Sequence, residues 1–271
     1  METNVLEHTL RKAEPIRITD GLEIGGEAIV LMAGPCSVED DATTRAAAEA
    51  VYRAGGKVLR GGAFKPRTSP YVFQGLGLDG LRILRDAADE FGLAVITEAL
   101  GIEHLEAVCE HADIIQIGSR NMQHFPLLWA VGEVDKPVLL KRGFMSTVTE
   151  WLMAAEHIAS RGNERIILCE RGIRTFGTET RNTLDTNAIA LANLESPWPV
   201  IGDPSHATGR ADLVIPAARA AIAAGADGLL VEVHPNPARA LSDGDQSLPL
   251  ERLVELVEEV GRVARAVGRR I

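Results

Sequence analysis

The sequence of 271 residues is poor in the features that mark several broad protein classes. Cysteine is scarce. Cys36, Cys109 and Cys169 are odd in number and far apart, which excludes a disulfide framework. Cys109 falls in a helical pattern and Cys169 in an apolar run, so both read as small buried hydrophobes. Positive charge is also in deficit: 28 Lys and Arg face 38 Asp and Glu, a formal net charge of -10. Such a surface disfavours the nucleic-acid backbone and leaves room only for a local basic pocket. No segment reaches the ~18 unbroken apolar residues of a membrane span. The opening METNVLEHTLRKAEPIRITD lacks the apolar stretch of a signal peptide. The expectation is a cytoplasmic protein with no membrane and no nucleic-acid partner. Linkers and low-complexity tracts are missing too, and only residues 1–15 are weakly patterned.

What is present is an alternation. Short apolar runs occur at 28–34 (AIVLMAG), 57–63 (KVLRGGA), 94–100 (AVITEAL) and 113–119 (DIIQIGS). Four more follow at 137–143 (PVLLKRG), 165–172 (RIILCERG), 199–206 (PVIGDPSH) and 228–235 (GLLVEVHP). They are rich in Val, Ile and Leu without strict alternation, as expected of parallel strands covered on both faces. Amphipathic stretches lie between them, several ending in Gly, a common helix stop. Pro216 falls inside one such helix, which it could kink. Eight strand-then-helix units over a chain near the roughly 250 residues of a single barrel predict an α/β fold of the (β/α)₈ TIM-barrel type. An open doubly wound sheet is the competitor, and it usually needs fewer units. Residues 16–27, with Asp20-Gly21 at a turn, predict a β-hairpin ahead of the barrel. The expected organisation is an N-terminal extension at 1–27 and a catalytic barrel at 28–271.

Barrel chemistry gathers at the C-terminal strand ends. Those ends carry Cys36, Arg60, Lys65, Glu98, Gln116, Arg120, Lys141, Arg142, Glu170, Arg171, Asp203, His206, Glu232 and His234, with Asp243 in the last loop. Two sets stand out. Cys36, His206, Glu232 and Asp243 combine a thiol, an imidazole and two carboxylates, a donor set suited to Mn²⁺, Fe²⁺, Co²⁺ or Zn²⁺. Arg60, Lys65, Arg67, Arg120, Lys141, Arg142 and Arg171 form a basic mouth on an acidic protein, which implies an anionic substrate bearing phosphate or carboxylate groups. Of Lys141 and Arg142, at least one should point into the mouth.

At these residues the chain resembles the 3-deoxy-D-arabino-heptulosonate 7-phosphate (DAHP) synthase family in its short, barrel-only form. The resemblance rests on AGPCSVED (33–40), LRGGAFKPRTSPYVFQGLG (59–77), DIIQIGSRNMQ (113–123) and KPVLLKRG (136–143). It continues through ILCERGIRTF (167–176), GDPSHATGR (202–210) and VEVHPNPARALSDGDQSL (231–248). It implies that Cys36, His206, Glu232 and Asp243 ligate a divalent metal, Mn²⁺ first among the four ions. It implies that Arg60, Lys65, Arg120, Lys141 and Arg171 bind phosphoenolpyruvate, and that Arg67 and Thr68 hold the phosphate of erythrose 4-phosphate. The implied reaction joins these substrates into DAHP and phosphate, the first step of the shikimate pathway to aromatic amino acids. Candidate catalytic groups are Lys65 together with Glu170, Asp203 and His234, the last three as activators of water. The sister family, KDO 8-phosphate synthase, has KANRSS where this chain has KPRTSP, so the four-carbon acceptor is expected. His124, Phe144-Met145-Ser146, Gly177 and Gly202 depart from the family pattern and make a variant aldose phosphate the alternative. A homo-oligomer, dimer or tetramer, is implied as well. A non-catalytic barrel, or a metal hydrolase or decarboxylase, would lack a use for the complete pair of sets. With only 27 residues before Ala28, no independent ligand-binding domain is expected there. Feedback by Phe, Tyr or Trp is therefore not expected.

Overall fold

A computed structural model describes residues 14–66 and 69–271. Arg67 and Thr68, assigned above to an acceptor phosphate, lie outside the described residues.

The described chain opens with the expected hairpin. β1 (Ile16–Thr19) pairs antiparallel with β2 (Leu22–Ile24), Ile16 opposite Ile24. Gly21 makes the turn at φ +83, a conformation costly for any residue with a Cβ. The hairpin buries Ile16, Leu22 and Ile24 against Val30, Met32, Val58, Ile96 and Leu139, and so plugs the base of the barrel.

Eight parallel strands come next: β3 (Val30–Gly34), β4 (Val58–Arg60), β5 (Ala94–Glu98), β6 (Ile114–Ile117), β7 (Val138–Lys141), β8 (Ile166–Glu170), β9 (Val200–Gly202) and β10 (Gly228–His234). Each pairs with the next, and β10 pairs with both β9 and β3. That double pairing closes the ring and rules out the open sheet. A short β11 (Leu248–Pro249) adds beside the end of β10. The helices are α1 (Asp41–Arg53), α2 (Leu78–Phe91), α3 (Leu105–His111), α4 (Phe125–Gly132), α5 (Val148–Ala159), α6 (Thr186–Glu195), α7 (Pro204–Thr208), α8 (Ala211–Ala223) and α9 (Arg252–Ala266). None is long and apolar enough to cross a membrane.

The apolar runs are continuous because both faces of each strand are buried. Met32, Val58, Ile114 and Leu230 fill the barrel interior, while Leu31, Leu59, Ile115 and Leu229 pack under the helices. Gly34 is fixed by crowding: a Cβ there would sit 2.0 Å from the Arg60 carbonyl oxygen. Local signals set the helix ends. Asp40 accepts the Thr43 amide at the start of α1, and Thr147 with Glu150 forms a capping box on α5.

One expectation needs correction. The seventh run is strand only through Gly202; Asp203 then caps α7 by accepting the His206 amide at 3.0 Å, so His206 rides on a helix. Pro216 lies within α8, which continues past it to Ala223; the carbonyl left without the Pro216 N–H belongs to Asp212 in the exposed first turn.

Candidate active site

The strands' C-terminal ends open into a cleft of about 320 Å³. Its lining includes Arg60, Lys65, Glu98, Gln116, Arg120, Lys141, Arg171, His206 and Asp243. Residues expected at the site from both sets therefore face one cavity.

At one side the thiol of Cys36 and the carboxylates of Glu232 and Asp243 place one ligand atom each within 4.8 Å of one another. They meet because β3 and β10 are neighbours, with Glu232 registered on Gly34. Cys36 donates to Asp243 Oδ2 at 3.1 Å. His206 adjoins the cluster through Nε2, 3.4 Å from Glu232 Oε1. Its Nδ1 lies 2.8 Å from Asp203 Oδ2, out of line for a hydrogen bond. Burial lowers the His206 pKa despite the attraction of Asp203 and Glu232, so the ring is neutral near pH 7 and keeps a lone pair to give. Burial, then Glu232, pushes the Cys36 thiol up to about 11. Asp243 stands at about 2, because the Cys36 hydrogen bond, His206 and Arg181 outweigh its burial. A soft sulfur and two carboxylates on one spot, with the His206 imidazole beside them but outside that cluster, fit a borderline divalent cation, which would lower the thiol pKa and relieve the carboxylates' mutual repulsion.

Among the described residues, Asp243 is the one non-glycine with positive φ, at 50. Around it lie groups to which the sequence alone assigned no role. Gln246 donates to Glu232 Oε2 at 2.6 Å, and Arg181 reaches Asp243 at 3.2 Å and Gln246 at 2.9 Å. Arg60 forms a buried ion pair with Glu232 at 2.7 Å and donates to the Pro35 carbonyl. Lys65 donates to the Cys36 carbonyl at 2.9 Å and lies 3.1 Å from its sulfur.

Across the cleft the charges are cationic. Lys141 reaches Asp203 at 2.6 Å, and both are buried. Burial raises the Asp203 carboxyl, but His206 and Lys141 beside it hold it well below the usual carboxylate range. Arg120, Arg171 and Arg174 surround the ring of Phe144, with guanidinium carbons 5.4, 4.7 and 5.2 Å from its centroid. Among the described residues, Arg120 and Arg171 make no ion pair with a carboxylate. Burial lowers the Arg171 pKa despite Asp203, so an arriving anion would be welcomed there.

Three expectations change. Arg142 does not face the cleft: it donates to Glu170 and Asp185, each at 2.9 Å, and to the Ser146 carbonyl. Glu170 is consumed by the same network, taking the Gly172 amide at 2.7 Å, and burial raises its pKa against Arg142. His234, named as a water activator, turns away into a separate hollow with Glu39 and Asn236, because the Asn236 amide takes its Nδ1. Besides Asp243, the carboxylate that lines the cleft is Glu98, held by Gln116 Nε2 at 3.0 Å.

A sequence profile of the DAHP synthetase I family matches residues 12–267. A phospho-2-dehydro-3-deoxyheptonate aldolase of Thermotoga maritima is 58% identical over 247 residues, spanning 91% of this chain and 73% of that one. A 2-dehydro-3-deoxyphosphooctonate aldolase of Syntrophotalea carbinolica is 34% identical over 265 residues, spanning 91% and 95%. A crystal structure of the Thermotoga maritima phospho-2-dehydro-3-deoxyheptonate aldolase (DAHP synthase) superposes with a TM-score of 0.93 at 53% identity, covering 97% of this chain and 79% of that one.

Proposed function

Because the chain belongs to the DAHP synthetase I family, we propose that the cleft joins its two anionic substrates between the cationic wall and the thiol–carboxylate cluster. The reaction is the condensation of phosphoenolpyruvate with erythrose 4-phosphate to DAHP and phosphate, which begins the shikimate pathway. One observation carries the assignment of roles. Among the described residues, Arg120 and Arg171 stand without carboxylate partners on the wall facing a cluster of metal-ligand chemistry.

In this reading Arg120, Arg171 and Lys141 hold phosphoenolpyruvate, with Arg60 and Lys65 between that site and the cluster. Cys36, His206, Glu232 and Asp243 would hold a divalent ion, Mn²⁺ being our first choice. A metal held by these residues would supply Lewis acidity toward the acceptor aldehyde. C3 of phosphoenolpyruvate then attacks the aldehyde carbon, water adds at C2, and phosphate leaves by C–O cleavage. Glu98 is our acceptor for the proton of that water, since Glu170 and Asp203 are engaged elsewhere and His234 lies outside the cleft. Holding both substrates in register contributes the orientation term, up to about 7–11 kcal/mol in ideal cases. Arg67 and Thr68 remain our proposed anchor for the acceptor phosphate. The same reading takes the enzyme to be a cytoplasmic homo-oligomer, dimer or tetramer.

The test is an acceptor screen with product mass and released phosphate as readouts, run with and without chelator. Turnover with erythrose 4-phosphate above that with arabinose 5-phosphate, lost on chelation and restored by a divalent transition ion, is the expected result. Full turnover in chelator at negligible metal content would overturn the metal assignment.

A further inference from the structure

Asp243 holds the left-handed backbone conformation, the one non-glycine among the described residues to do so, and its surroundings favour it. What favours it lies behind the cleft. The segment after β3 and the loop after β10 run past each other in opposite order and touch at three successive rungs. Cys36 donates to Asp243, the Ser37 and Ser242 hydroxyls are hydrogen-bonded to each other, and Glu39 Oε1 accepts the Leu241 amide at 2.7 Å. The outermost rung is itself braced. The Asn236 amide donates to His234 Nδ1 at 3.0 Å, which leaves the proton on Nε2, directed at Glu39 Oε2 3.4 Å away. One carboxylate thus ties both ends of the loop, at Asn236 through His234 and at Leu241 directly. Glu39 and His234 are almost fully covered, with side-chain exposures of 8% and 6%. Neither lines the cleft.

We propose that Glu39, braced by His234, is the positioning residue of the metal site: it latches the loop that presents Asp243 opposite Cys36. The proposal rests on the ligand assignment above. It explains a buried histidine–carboxylate pair at a strand end for which the reaction itself has no use. A partner that orients a ligand without touching the ion affects ion affinity by about 10- to 100-fold.

The experiment compares wild type, Glu39→Ala, Glu39→Gln and His234→Gln, each stripped of metal and titrated with Co²⁺. Affinity and the thiolate-to-cobalt absorption band are recorded, with the thermal midpoint of the metal-free protein alongside. Glu39→Ala is expected to bind cobalt about 10- to 100-fold more weakly, with the phosphoenolpyruvate KM at saturating metal unchanged. Glu39→Gln keeps an acceptor for the Leu241 amide and should recover most of the affinity. Should Glu39→Ala not fold, His234→Gln, which removes only the brace, carries the same expectation in smaller measure. Wild-type affinity and an unchanged band in both the alanine and His234→Gln variants would overturn the latch alone. Absence of any thiolate band in wild type would instead overturn the ligand assignment, and the latch with it.

Discussion

Lys141, the last residue of β7, reaches past β8 to put its ammonium 2.6 Å from Asp203, the residue just after β9. The next residue, Arg142, makes the equivalent reach to Glu170 at 2.9 Å but behind the barrel wall. Two adjacent cations, each on a buried carboxylate, thus have opposite relations to the cleft, and their variants should fail differently.

Lys141→Met removes a cleft-facing charge and is expected to raise the phosphoenolpyruvate KM by at least about tenfold, the loss of a charged hydrogen bond, and it lowers stability as well because Asp203 is left buried without its ammonium partner. Arg142→Met strands Glu170 as a buried anion, at a cost of about 3–5 kcal/mol. At roughly 2 °C per kcal/mol for a chain of this size, Tm should fall by roughly 6–10 °C. Arg82, on the exposed face of α2 and 66% accessible, is the control and should change neither. Steady-state kinetics and thermal melts on the same preparations check all three. Equal KM effects at Lys141 and Arg142 would contradict the division between them.

Metal uptake should release a proton. The metal-free Cys36 thiol, raised to about 11, is protonated at neutral pH, and a ligating sulfur must be a thiolate. His206, lowered below its ordinary value, is already neutral and supplies none. Since each pH unit below the thiol pKa cuts the thiolate about tenfold, apparent metal affinity should rise by about tenfold per unit from roughly pH 7 to 9. Calorimetry in buffers of differing ionisation heat counts the proton directly. A flat affinity profile would mean that the thiol is not a ligand.

Phe144 should matter through its neighbours. Its ring seats Arg120, Arg171 and Arg174, and cation–π contacts contribute about 0.5–2 kcal/mol each. Phe144→Leu keeps bulk and loses the π face. The expected outcome is a several-fold rise in phosphoenolpyruvate KM, steeper at high salt, with kcat at saturation within about twofold. Direct binding of phosphoenolpyruvate at two ionic strengths checks it, and unchanged affinity at both would remove the ring from the anion site.

Much of this was legible in the sequence because barrel strands advertise themselves: a run buried on both faces, such as Ile166–Glu170, cannot help being apolar up to the residue where the cleft begins. Closure of the ring then makes Cys36, Glu232 and Asp243 neighbours, although no local spacing links them. Directions at strand ends were not legible. Whether Lys141 or Arg142 points inward, and why His234 turns out while Glu232 turns in, depends on hydrogen bonds to Asp203, Glu170 and the Asn236 amide. The setting of Phe144 was hidden for a different reason, since the arginines around it come from two other loops.

The ring closes on its last strand, and that sets an order in time. Cys36 and Asp243 are 207 residues apart. At about 5–20 residues per second on the ribosome, the thiol is made roughly 10–40 s before its carboxylate partners exist. Throughout that interval it is an ordinary cysteine with nothing to share an ion with. A metal held by this set therefore would not template the early fold, as it does in small zinc domains. It would meet a finished barrel, and which of the cell's ions took the site would be decided after synthesis, by exchange with the pool around the completed protein.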